Sequence, residues 1–202
     1  MRGALVAAAL AFAASAQAAE PVVAVMPFRD LSAARAPVGE AIRETLTVDL
    51  GEAGVRVVER GAIDRVIAEQ SLDDKKRDLP TIGAVRVGTL VGATRIVMGA
   101  YQRAGGAVRL TARIVDVASG ELVGSAKVDG AADELLALQD RLAASLFAAA
   151  GLPAGKLARL TRRARPKVPY RALELYGDAV QAGDDQKKRE LLQQAVAAAP
   201  QL

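Results

Sequence analysis

The sequence predicts an α/β fold: a single mixed sheet of about five strands packed with helices, in the order β-α-β-α-α-β-β-β-α, followed by a C-terminal helical hairpin. Three observations predict it. Short β-branched runs alternate with stretches whose apolar residues recur every third or fourth position in the first half of the chain. From Thr94 the period changes to strict alternation around a Gly105-Gly106 turn. The last stretch returns to helical spacing.

Taken in order, residues 21–28 (PVVAVMPF) form a continuous apolar run, as expected for a strand covered on both faces. Arg29 and Asp30 end it in a polar loop. Pro37 suits a helix start, because its missing N–H would be unpaired there anyway. Val38, Ile42 and Leu46 share one face of that helix, and Gly51 and Gly54 stop it. Residues 55–59 (VRVVE) read as the second strand. Ile63, Val66 and Ile67 stripe the next helix, which gives way to the charged run 73–78 (DDKKRD), taken as a solvated loop. Pro80-Thr81 opens a third helix with Thr81 as its N-cap and Ile82, Val85 and Leu90 as its apolar residues.

Residues 95–101 (RIVMGAY) read as a central strand. In the next strand Val108, Leu110, Ala112 and Ile114 face one way, Arg109, Thr111 and Arg113 the other. A slip of one residue would bury three polar side chains, so the register is well specified. A third strand follows, with Leu122, Ala126 and Val128 inward and Ser125 and Lys127 outward. Leu135, Leu138, Leu142 and Leu146 then mark a long helix. Strands separated by helices can pair in parallel, whereas the last three form an antiparallel meander.

Composition narrows the function. The chain has 202 residues, 51% of them hydrophobic, only 3% aromatic, and a net charge of +4. That suffices for one ordinary core built from small aliphatic side chains, and it does not call for nucleic acid. Cysteine and histidine are absent. Disulfides, acyl-cysteine anchors, thiolate metal cages and imidazole proton transfer are therefore excluded. No phosphate-cradling glycine loop and no nucleophile elbow occurs. Asp30, Glu59, Asp64 and Glu69 could supply a carboxylate pair, but Asp64 and Glu69 share a helix face with Arg60 and Arg65, as surface ion pairs do. No catalytic residue, metal or cofactor is expected.

Residues 1–19 read as a cleaved signal peptide: Arg2 is the positive head, 4–14 the apolar run, and Ala16-Gln17-Ala18 the small-residue cleavage site near Ala18 or Ala19. The run is too short and alanine-rich for a span, and no span is expected in the mature chain. The expected divisions are 1–19 signal, 20–151 α/β domain, 152–169 basic linker and 170–202 helical hairpin.

The ordered pieces AVMPFRDLS, RETLTVDLGEAGVRVVERGAIDRVIAEQ and GTLVGATRIVMGAYQRAGGAVRLTARIVDVASGELVG resemble the curli-secretion (CsgG-like) family and the TolB amino-terminal domain, over roughly residues 21–150. Peptidoglycan-synthase activator lipoproteins look similar too. The resemblance implies a periplasmic scaffold or adaptor, without catalytic residues, that binds envelope proteins or itself. Two departures stand out. Many relatives carry a lipidated cysteine that this chain lacks, and a pore would need long amphipathic hairpins, whereas these strands are short and carry Arg109 and Arg113 outward. An outer-membrane secretion component and a small-ligand or glycan-binding module are the rival expectations.

The connector carries Lys156, Arg159, Arg162, Arg163, Arg165 and Lys167 and no acid. It reads as a charged linker, with weak contact to anionic lipid headgroups as the functional alternative. Residues 172–200 resemble one tetratricopeptide repeat, with Gly183-Asp184 at the turn. A single repeat cannot bury its apolar face alone, so the hairpin should cap the α/β domain or begin a longer array. Arg29, Asp30 and Arg35 are the expected partner contacts, because their loop follows the first central strand at the end where open α/β sheets place a binding crevice.

Overall fold

The computed structural model describes residues 20–32, 37–70, 80–152 and 157–200. The signal segment, Arg35, the charged run 73–78 and Lys156 lie outside the described residues.

The predicted mixed α/β architecture is present. Strands β1 (Val22–Val25), β2 (Arg29–Asp30), β3 (Arg56–Val57), β4 (Arg95–Ala104), β5 (Ala107–Asp116) and β6 (Leu122–Ala131) make one six-stranded sheet. Its order is β3-β1-β4-β5-β6, with β2 beside β4. As expected, β1 pairs in parallel with β3 and β4, while β4, β5 and β6 form the antiparallel meander. The sixth strand is β2, where a polar loop was expected. Arg29 and Asp30 stay extended and pair with Ala100 and Tyr101.

Helices α1 (Val38–Glu52) and α4 (Leu135–Ala149) cover one face of the sheet. Helices α2 (Arg60–Glu69) and α3 (Thr81–Leu90) lie on the other. The first layer holds the larger core. Val38, Ile42 and Leu46 of α1 and Leu135, Leu138, Leu142 and Leu146 of α4 meet Val108, Leu110, Ala112 and Ile114 of β5, in the predicted register. Gly105 closes the β4–β5 hairpin with φ of 59°, a left-handed conformation that glycine adopts without strain.

Three expectations need correction. Ile82 and Leu90 are 85% and 55% exposed, and α3 instead turns Ala84, Val87 and Gly88 to the sheet. The reason is steric: a Cβ on Gly88 would come within 2.7 Å of Ile96 Cδ1, so only a small-residue stripe allows the approach. Pro80, not Thr81, occupies the N-cap of α3, and the Thr81 hydroxyl accepts a bond from Arg113 Nη2 at 3.1 Å. Leu122 is 60% exposed, because a register shift after Ile114↔Gly124 sets Val115 against Leu122 and turns that side chain outward.

Arg43 of α1 is 1% exposed. Its Nε donates to the Val25 carbonyl at 3.0 Å and its Nη1 to Asp64 Oδ1 of α2 at 2.7 Å. This pair, buried at Arg43 and half-buried at Asp64, sits at the C-terminal end of β1, where open sheets often leave a crevice.

The tail folds back onto the domain. Residues 157–162 form a 3₁₀ turn with Leu157 and Leu160 buried in the larger core. Helices α5 (Tyr170–Gln181) and α6 (Asp185–Ala198) follow as the expected hairpin, with Asp184 capping α6 by accepting from Lys187 N at 2.7 Å. Ala172 and Leu173 of α5 join the larger core beside α1.

Candidate functional site

Coverage of the sheet is uneven. Helices α2 and α3 pack Ile63, Ile67, Ala84 and Val87 on Ala24, Met26 and Ile96, over β1 and the start of β4. Among the described residues no helix covers the rest of β4, or β5 and β6, on that side.

Strand register sets what this bare face displays. One row runs Arg29–Ala100–Thr111–Lys127, and the next runs Met98–Arg113–Ser125. Together they line a cleft of about 540 Å³ that Leu31 and Met26 also border, within the usual size of ligand sites. Arg29, Arg113 and Lys127 are exposed, and no described lining residue is Asp or Glu. Arg113 is aimed by its bond to Thr81 and lies 3.9 Å from Met98 Sδ. Farther along, Arg109 Nε donates to Asp129 Oδ1 at 2.6 Å. That bond and charge hold Asp129 below the ordinary carboxylate range.

The alternation of β2 sends its two side chains apart. Arg29 lines the cleft, whereas Asp30 turns to the α1–α4 side and accepts from the Tyr101 hydroxyl at 2.8 Å and from Ser32 N at 2.7 Å. Tyr101 is buried, and burial together with Asp30 pushes its pKa far up. Tyr170 of α5 lies alongside, pushed up to about 12 mainly by burial, with the Arg103 guanidinium 4.3 Å from its ring centroid. The structure thus separates the expected contact residues: Arg29 lies on the cleft, Asp30 in a half-buried polar junction with Tyr101, and Arg35 outside the described residues.

That junction has a pH consequence. Tyrosine in the unfolded chain titrates near pH 10, and Tyr170 in the fold near 12. Its contribution is therefore whole below about pH 10 and is lost as pH climbs toward 12. Tyr170→Phe should reduce the stability lost between pH 9 and pH 11 by about 1 kcal/mol, as read from urea melts at the two values.

The described cations that sequence reasoning assigned to a charged linker are not alike. Arg165 donates to both oxygens of Asp140, at 2.8 and 2.9 Å, and to Asp49; Arg163 reaches Asp49 at 3.1 Å and Glu52 at 2.7 Å. Asp140 and Asp49 are 2% and 7% exposed. Lys167 lies 3.0 Å from Glu134. No local signal marks these partners, because they stand on distant helices.

The arrangement defines a mixed α/β domain with a half-bare sheet face and a basic cleft on it. No family model and no curated protein sequence matches the chain. Among solved structures it is similar to the LpoB C-terminal domain from Salmonella enterica, 16% identical over 55% of this chain and 83% of that one, with a TM-score of 0.48. Lipoprotein GNA1162 from Neisseria meningitidis is 16% identical over 55% and 80%, with a TM-score of 0.46. The Escherichia coli LpoB C-terminal domain is 21% identical over 55% and 83%, also at 0.46. The expected kinship with the curli-secretion family and the TolB amino-terminal domain is therefore corrected. The tetratricopeptide reading is corrected with it: the hairpin closes a small core of its own with Leu175, Ala179, Leu191 and Ala195, while Tyr170, Ala172, Leu173 and Ala199 join the main core.

Proposed function

We propose that this protein is a non-enzymatic periplasmic scaffold or adaptor that binds envelope proteins through the bare half of its sheet. In this reading residues 1–19 direct export, 20–151 form the binding domain, and the tail from residue 170 braces it. One observation carries the proposal: among the described residues no helix covers β5, β6 or the far part of β4 on the side away from α1 and α4, and that side displays exposed cations around small side chains. A face of this kind suits a contact surface, since its cations are exposed and no described residue lining the cleft is Asp or Glu. No described helix is long and apolar enough to cross a membrane.

The test is a photo-crosslinking residue placed at Lys127, with Arg189 on the outer side of α6 as the comparison site, in living cells. The protein should be released by osmotic shock, and position 127 should yield an adduct with an envelope protein that position 189 does not. Retention in the cytoplasm, or equal adducts from both sites, would remove the reading.

A further inference from the structure

We infer that the cleft on the bare face takes an extended acidic segment of the partner protein, its carboxylates meeting Arg113 and Lys127 while an apolar side chain rests on Met98 and Leu31. This rests on the adaptor reading and specifies its ligand. The argument is charge complementarity on a defined lattice of strands. Arg113 and Lys127 stand on neighbouring strands one row apart, since Arg113 pairs with Ser125 and Thr111 with Lys127. Such diagonal neighbours lie about 7 Å apart, close to the repeat of alternate residues in an extended peptide. Arg29 stands at the far end of the Lys127 row, three strand spacings or about 14 Å away.

Between these cations the floor is Ala100 and Thr111, low enough to leave room for a peptide backbone. Asp129, two residues beyond Lys127, also feels the Lys127 charge, but its hydrogen-bonded partner is Arg109 at 2.6 Å, which offsets its charge toward an acidic ligand. Arg113 is oriented by Thr81, and a guanidinium so held can grip a carboxylate with two parallel bonds. Lys127 adds a point charge. Leu31 is 47% exposed beside the cations, which favours a ligand mixing acids with apolar side chains over a wholly hydrophilic anion.

The probe is a fluorescein-labelled peptide of alternating Glu and Leu, titrated with the purified mature chain at low salt and followed by fluorescence anisotropy. The peptide should bind, and Arg113→Gln and Lys127→Gln should each weaken it about fivefold to tenfold. The same peptide with Lys for Glu should not bind, and Arg189→Gln should change nothing. Lys127 is exposed on an edge strand, so its variant tests the site without threatening the fold. The inference fails if neither variant weakens binding, or if oligogalacturonate displaces the peptide at equal or lower concentration. Should position 127 still crosslink an envelope protein while the acidic peptide fails to bind, this inference alone falls. Loss of both results removes the adaptor reading as well.

Discussion

Arg165→Met should cost about 3–5 kcal/mol, the usual penalty for breaking a buried ion pair by removing one partner. For a chain of this size that lowers the melting temperature by about 10 °C. The size of the effect follows from what remains behind. Asp49 on α1 and Asp140 on α4 are both buried, and Arg165 bonds to each, touching both oxygens of Asp140. Removing it leaves the buried Asp140 without its cation and Asp49 with only the half-exposed Arg163. Arg163→Met makes the informative contrast. Arg163 also reaches Asp49, but its side chain is 36% exposed, so its loss should cost under about 1 kcal/mol. Adding Asp49→Asn and Asp140→Asn to Arg165→Met should restore much of the stability, because the charges that needed compensation are gone. Thermal melts of the three variants decide the matter. An Arg165→Met protein that melts within about 2 °C of the parent would show that the network does not fasten the connector.

That network also marks where sequence reasoning stops. The β5 register was legible because alternation over Val108–Ile114 left one assignment that buried no arginine, and the leucine spacing of α4 named its buried face outright. Both signals are local. Arg165 and Asp49, by contrast, are 116 residues apart, and nothing near either residue announces the other. A run of cations without acids reads as solvated until the fold brings the carboxylates to it. The misread stripe of α3 has a different cause. Hydrophobicity ranked Ile82 and Leu90 above Ala84 and Gly88, but the distance between helix and sheet was set by small residues, so the weaker apolar pattern won. The cleft fell between these cases. Arg113 and Lys127 were correctly read as outward, yet which part of the sheet a helix would cover could not be read from strand patterns. The site exists because α2 and α3 stop at the first part of β4.

Gly177→Val should detach the helical tail from the domain. A Cβ at Gly177 would lie 2.1 Å from the Pro37 carbonyl oxygen and 2.7 Å from its carbon, both main-chain atoms at the start of α1. Neither can swing aside as a side chain would. Replacing glycine inside a helix ordinarily gains up to about 1 kcal/mol in helix propensity with alanine, and less with valine. Any net loss therefore measures the clash, which should exceed the roughly 1–3 kcal/mol typical of overpacked cores. Helix α5 must then move off α1, drawing Ala172, Leu173 and Tyr170 out of the shared core. Two readouts should agree. Protease should cut the variant between residues 157 and 169 while β4 and β5 keep their hydrogen-exchange protection. Tyr170, no longer buried beside Arg103, should titrate near 10 by ultraviolet absorbance instead of near 12. A hairpin that merely hung from a flexible linker would show neither change, and an unaltered tyrosine titration in Gly177→Val would reject the docked arrangement.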